Sequence, residues 1–299
     1  MKEWVEFHIA NGVDHFYLYD NLSSDNAVEV LAPFVEEGYV TRIKWTISKS
    51  RGGQRAAYQH CLETHGSSSK WIAFIDLDEF LFGVSTELPT LLQNYEQFGG
   101  VFVHWQNFGS SMCVERAPGN VISRFTNRAP TDWSRNREGK SIVQPSKLAA
   151  WSGPNAHRQI PHRFDMASGC QLVNERSEEV VRARNWRDHV GRIVKRILGR
   201  HSTLVGSYLP FVFNPYGTRR KTPTKVNVDL IRINHYVVKS RQEYESKMNR
   251  MSDKPEKYNS FYFRFHDRNE VVDRLLADQA IALQSKASSL RAARGAPGR

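Results

Sequence analysis

The residues of this 299-residue chain best suited to chemistry are three carboxylates within four positions, Asp76, Asp78 and Glu79, in the stretch KWIAFIDLDEFLFG. They follow directly on the apolar run of residues 71–75. Burying an unpaired carboxylate costs several kcal/mol in order of magnitude, so a metal, a basic side chain or water must meet them. Asp76 and Asp78 are two apart, and in extended backbone they share a face on which one hard cation can be held. A divalent ion there would bridge a nucleotide diphosphate and neutralise a leaving group, as a Lewis acid does in phosphoryl or glycosyl transfer. The competing reading is that the acids cap the next turn or pair with surface arginines.

The elements that must position this cluster are legible from alternation. KEWVEFHIANG reads as a helix closed by Gly12, DHFYLYD as a strand, SDNAVEVLAPFVEEG as a helix capped by Ser24 or Asp25 and ended at Gly38, and YVTRIKW as a strand. GGQRAAYQHCLETHG is a further helix, WIAFIDL a buried strand, STELPTLLQNYEQFGG a helix and VFVHWQNF a strand. Strands and helices alternating over short joints predict a Rossmann-like, mixed but mostly parallel sheet flanked by helices. In such sheets ligands bind outside the carboxyl ends of the strands, where the acids follow residue 75.

Beyond Phe108 the rhythm gives way to charged, proline-containing loops, an irregular half expected to wrap over the binding edge. The stretch from Arg182 to Arg200 is strongly basic with helical apolar spacing at Val190, Ile193, Val194 and Ile197, a solvated face or a surface for an acidic membrane. The last residues, SKASSLRAARGAPGR, predict a fraying helix and a loose tail.

Composition narrows the partners. Lysine plus arginine exceed aspartate plus glutamate by 42 to 31, a formal charge of +11 that favours anionic partners such as sugar nucleotides, nucleic acid or acidic membrane. RNWRDHVGR interleaves arginine with an aromatic residue, but no RNA-binding motif accompanies it, and nucleic acid is not the expected partner. Cys61, Cys113 and Cys170 lack the spacing of a disulfide framework or a zinc site. No window approaches the ~18 apolar residues of a membrane span, and the expectation is a cytoplasmic, at most membrane-peripheral protein.

Several stretches fall into one order: EWVEFHIANGVDHFYLYDNLSSDN, GGQRAAYQHCL, KWIAFIDLDEFLF, HWQNFGSS, KSIVQP and INHYVVKSRQEYESKMNR. Together, over residues 2–250, they resemble glycosyltransferase family 92 and related family-2-like transferases. DLDEF also resembles the DxDxT loop of haloacid-dehalogenase-type phosphatases, but Phe80 stands at the threonine position and the motif lies too far into the chain.

The family resemblance implies an α/β GT-A fold over residues 1–250, with a nucleotide-binding half (1–110), an acceptor and metal half (111–250), and a helical, basic extension (251–299). It implies a nucleotide-sugar donor such as a UDP-hexose, a glycan or lipid-linked acceptor, Mn2+ or Mg2+, and inversion at the anomeric carbon. Asp76 and Asp78 match the metal and diphosphate motif, and His235 resembles a late histidine that completes metal coordination. Asp20 and Asp25 fall where the nucleoside is held. Arg51 and Gln54 are candidates for base, ribose or phosphate; Trp105 for stacking on a sugar ring; Gly109, Ser110 and Ser111 for close approach and short donors; Lys239 and Arg241 for the diphosphate.

Tyr244 and Lys247 continue a helical spacing and carry no assigned role, and His157 and His162 are candidate acceptor contacts in the loop half. The general base is open among Glu79, Asp132 and Glu138. Relatives carry a further strand with a Lys-Asn-Glu motif ahead of the Glu3-Trp4 helix that this sequence does not contain. The alternative expectation is accordingly a truncated, non-catalytic relative acting as a binding protein.

Overall fold

The computed structural model describes residues 1–47, 53–149, 164–180, 225–250 and 260–295. Arg51, His157, His162 and the basic stretch from Arg182 to Arg200 lie outside the described residues.

The first third follows the sequence reading closely. Helix α1 (Lys2–Ala10) ends where Gly12 adopts a left-handed φ of +86°. Strand β1 (Phe16–Asp20) leads into α2 (Ala27–Glu36) and then β2 (Val40–Lys44), which pairs with β1 in parallel from Phe16↔Val40 to Asp20↔Lys44. Helix α3 (Gly53–His65) comes next.

The run before the acids forms a shorter strand than expected, β3 (Ile72–Ala73), and the residues after them form one that periodicity did not reveal, β4 (Glu79–Gly83). Helix α4 (Leu88–Leu92) and strand β5 (Gly100–Asn107) complete the alternating part. The second half contributes α5 (Val121–Arg124), β6 (Asn127–Arg128), β7 (Gly139–Val143), β8 (Leu172–Val173), β9 (Ile231–His235), α6 (Arg241–Arg250), α7 (Ser260–His266), β10 (Val271–Val272) and α8 (Leu275–Gly295).

Among the described residues the main sheet runs β3-β7-β5-β9-β4, with β8 beside β5. The architecture is the expected mixed α/β, but its pairings are less parallel than the alternation implied. β9 and β8 run parallel to β5, whereas β7 is antiparallel to both β3 and β5, and β4 is antiparallel to β9. The reason is β4 and β7, two strands that arrive through tight turns and loops instead of helical crossovers.

Side chains alternate across this sheet with period two. Phe80 and Phe82 of β4 pack with Trp4, Phe7, Phe16 and Tyr236 on one face, while Leu81 packs with Leu91, Val101, Val103 and Ile233 on the other. The chain is locked to α1 by two buried hydrogen bonds: Trp4 Nε1 donates to the Glu79 carbonyl at 2.7 Å, and the Leu81 N–H donates to His8 Nε2 at 3.1 Å.

The C-terminal helix is part of this core and not the fraying extension that its small residues suggested. Leu276, Ala280 and Ala287 are buried, and Arg291 forms ion pairs to Glu37 (2.6 Å) and Glu6 (2.9 Å) while lying 4.2 Å over the Phe34 ring. Small residues here permit close helix packing. Among the described residues no helix is long and apolar enough to cross a membrane.

Candidate active site

Strands β3 and β4 occupy opposite edges of the main sheet, so the five residues joining them cross the ends of β7, β5 and β9. This crossing carries the acids. It is a turn and not an extended segment: the Glu79 N–H donates to the Asp76 carbonyl at 3.0 Å, and the Asp76 N–H donates to Glu79 Oε2 at 3.0 Å. The sheet ends beneath it are the carboxyl ends of β5 and β9 and the start of β7, where an open α/β sheet binds ligands.

Asp76 and Asp78 therefore do not share one face; each meets its own lysine. Asp76 Oδ2 accepts from Lys140 Nζ at 2.7 Å, and its Oδ1 accepts from Gln54 Nε2 at 3.1 Å. Asp78 Oδ2 accepts from Lys247 Nζ at 2.8 Å. Lys140 sits within β7 at 1% exposure, 3.5 Å from Glu79 Oε1, and Glu79 is itself fully buried.

The electrostatics follow from this placement. Burial pushes the Glu79 carboxyl well above the usual carboxylate range, with Lys140 opposing. Burial likewise works against the Lys140 ammonium, but Glu79 and Asp76 outweigh it and the amine is held more firmly protonated than a free lysine. For Asp78 burial acts upward, and Lys247, with His235 and Lys239 behind it, outweighs burial and holds the carboxylate far below its ordinary range. Burial also lowers Lys239, which adopts a left-handed φ of 57°.

His235, the last residue of β9, pairs with Glu79 in register and faces Asp78, with Nε2 3.9 Å from Asp78 Oδ1. Burial lowers its pKa to about 4 against the pull of Asp78, so the ring is neutral at physiological pH. Its Nδ1 is buried without a hydrogen-bond partner among the described residues. The Trp105 ring lies 4.6 Å from it, tilted by 40°.

The Asp78 carboxylate is an oxygen donor of the kind Mn2+ and Mg2+ take, and the neutral His235 imidazole beside it is a nitrogen donor. Among the described residues no group of three histidines, cysteines or acids could enclose a metal.

The other candidates are distributed as follows. Asp20 accepts from the Ser23 N–H at 2.8 Å and pairs with Arg42 at 2.5 Å; the bonds from Ser23 and the Arg42 charge lower its pKa. Asp25 accepts from the Ala27 N–H at 3.2 Å at the start of α2, where Asn26 holds the N-cap position. Around Gly109, Ser110 and Ser111 the bonds run within the fold: the Ser110 N–H donates to Asp267 (2.6 Å), the Ser111 N–H to Asn269 (2.8 Å), and Ser111 Oγ accepts from the N–H groups of Thr126 and Asn127. A Cβ on Gly109 would lie 2.3 Å from the Arg268 carbonyl oxygen, so glycine serves close backbone packing.

Arg241 pairs with Glu245 (3.2 Å) and lies over Phe263, while Lys247 on the same helix is the residue that reaches the acids. Asp132 is exposed, and Glu138 pairs with Arg135 (3.4 Å) while its carbonyl accepts from the Trp105 N–H (2.9 Å). Sequence reasoning missed Lys140 and left Lys247 without a role. The available signal was the requirement for counter-charge, which named a basic side chain without saying which.

The family model for glycosyltransferase family 92 matches residues 1–268. A family 92 protein of Oryza sativa subsp. japonica is 32% identical over 179 residues, covering 58% of this chain and 29% of the relative. A family 92 protein of Arabidopsis thaliana is 26% identical over 163 residues, covering 50% and 27%. A galactan beta-1,4-galactosyltransferase of Arabidopsis thaliana is 24% identical over 163 residues, covering 50% and 31%. The chain thus spans about three-tenths of the length of these curated relatives. With the family match running through the acidic turn, both of its lysines and His235, the chain belongs to glycosyltransferase family 92.

Proposed function

We propose that this chain transfers a hexose from a UDP-linked donor to a glycan or lipid-linked acceptor, with inversion, using Mn2+ or Mg2+ held by Asp78 and His235. The observation that carries the reading is the approach of His235 Nε2 to 3.9 Å from Asp78 Oδ1 at the carboxyl ends of β5 and β9. The name of the galactan beta-1,4-galactosyltransferase relative supports galactose as the sugar, and a β-linked product formed from an α-linked nucleotide sugar requires inversion.

The chain's own groups have distinct tasks in this reading. Asp78 and His235 would hold the cation, which would supply charge neutralisation for the departing diphosphate. Lys247, only 36% exposed and already in the site, and the half-buried Lys239 add positive charge on the same side. Trp105 offers an indole face to the pyranose ring. Glu79 lies fully buried beneath the turn, which speaks for one of the other carboxylates as base. Between the remaining carboxylates, Glu138 is tied to the site through the bond from the Trp105 N–H to its carbonyl, and we assign it the deprotonation of the acceptor over the exposed Asp132.

Incubation with UDP-galactose and a β-1,4-galactan oligosaccharide tests the reading. Release of UDP with chain extension, abolished by EDTA and by Asp78→Asn, is the expected result. Transfer that persists unchanged in Asp78→Asn would overturn the metal assignment, and no transfer from any UDP-hexose would overturn the donor class.

A further inference from the structure

Among the described residues Lys140 stands out: an ammonium at 1% exposure at the second position of β7, opening the KSIVQP stretch but given no role by the sequence. A lysine is almost never fully buried unless it is paired, because desolvating the ion costs several kcal/mol. Here its partners are specific. It donates to Asp76 Oδ2 at 2.7 Å and lies 3.5 Å from Glu79 Oε1, so that it touches both ends of the acidic turn from below.

The rest of the turn is fastened around that contact. Glu79 Oε2 takes the Asp76 N–H, the Glu79 N–H takes the Asp76 carbonyl, and Gln54 takes the second oxygen of Asp76. Asp76 consequently has both carboxylate oxygens engaged by the protein. Asp78, between the two fixed residues, is turned instead towards His235 and the half-exposed Lys247.

We propose that Lys140 is a positioning residue for donor binding: a buried internal cation that pins Asp76 and Glu79, the two ends of the turn, and so holds Asp78 against His235 for the donor's diphosphate and its cation. The proposal rests on the nucleotide-sugar reading above. It differs from a role in stability alone, because the ion pair fixes the conformation of the turn and not merely its burial. Lys140 is rooted in β7, which is paired on both sides, so the cation has little freedom to follow a ligand. Lys247 stands on a helix surface, donating to Asp78 Oδ2 at 2.8 Å and to the Val237 carbonyl at 3.5 Å. The two lysines thus divide the work, one holding the turn and one meeting the ligand.

The test is calorimetric titration of UDP with Mn2+ into the wild type and into the double variant Lys140→Met with Glu79→Gln, which removes the cation and the buried acid together. The double variant is expected to melt near the wild type and to bind UDP at least about tenfold more weakly, the effect of losing roughly 1.4 kcal/mol of preorganisation. A double variant that folds and binds UDP like the wild type would overturn the proposal. Failure of the wild type itself to bind any nucleoside diphosphate would instead overturn the donor reading. A measurement on the unaltered protein covers the case in which the double variant does not fold. In 15N-lysine NMR, the slowly exchanging ammonium of Lys140 should persist when UDP and Mg2+ saturate the site, and its loss on binding would show that it leaves Asp76 and would contradict the proposal.

Discussion

Lys247 Nζ donates to Asp78 Oδ2 at 2.8 Å across 169 residues of sequence, placing a helix-surface lysine on the carboxylate that also faces His235. A cation bound by Asp78 must compete with that ammonium. Lys247→Ala should therefore tighten Mn2+ binding measured without nucleotide and weaken UDP binding measured at saturating Mn2+, since the ammonium is then lost from the diphosphate side. Manganese electron paramagnetic resonance and UDP titration read the two effects separately. Parallel loss of both affinities would place Lys247 in a structural role.

The choice of base is testable by a pair of variants. Glu138→Gln should lower kcat by 100-fold or so, the usual reach of general-base catalysis, with little change in the KM for UDP-sugar, whereas Asp132→Asn should leave kcat near the parent value. Steady-state kinetics with the same acceptor decide it, and the reverse ranking would move the base to Asp132.

The HWQNFGSS loop makes a contrasting prediction. Ser111→Ala deletes the acceptor for the Thr126 and Asn127 N–H groups, and each lost bond is worth about 1 kcal/mol. Gly109→Ala forces a Cβ to 2.3 Å from the Arg268 carbonyl oxygen. Both variants should lower the melting temperature, Gly109→Ala more, and the folded fraction should retain the wild-type KM for donor. A raised KM at unchanged stability would return these residues to the sugar site.

Much of the first 110 residues was readable because each segment keeps a single period and ends on a residue with a backbone reason, as α1 does at Gly12 and α2 at Gly38, both with positive φ. β4 was not readable: EFLFG follows the acids without a break, and only its pairing with β9, more than 150 residues later, makes it a strand. Lys140 and Lys247 escaped for the same reason. A Gly-Lys-Ser strand start and a lysine on a polar helix both look solvated, and what buries one and recruits the other is a carboxylate 64 or 169 residues away. The DxD pair itself was legible, but the sharing of a face was inferred from an extended backbone that the Asp76–Glu79 turn replaces.

Acid sensitivity should arise in the α1–β4 contact. His8 is buried with Nδ1 bonded to the Trp4 carbonyl and Nε2 accepting from the Leu81 N–H, so both nitrogens are used by the neutral ring. Burial lowers its pKa from 6.5 to about 4. The unfolded chain therefore takes up this proton first as pH falls, and stability should be complete above pH 6.5 and decline towards pH 4, by about 3 kcal/mol from this one residue. Urea unfolding across that range should show a shallower decline in His8→Gln than in the wild type; equal slopes would contradict the assignment.

The central claim is that Asp78 and His235 form the cation-dependent anchor for a nucleoside diphosphate. Calorimetric titration of UDP into the protein with Mn2+ and with EDTA tests it most directly. Binding that requires Mn2+, and that is lost in both Asp78→Asn and His235→Ala while their melting temperatures stay close to the wild type, is the predicted result. UDP binding of equal strength in EDTA, or unchanged in the two folded variants, would contradict it.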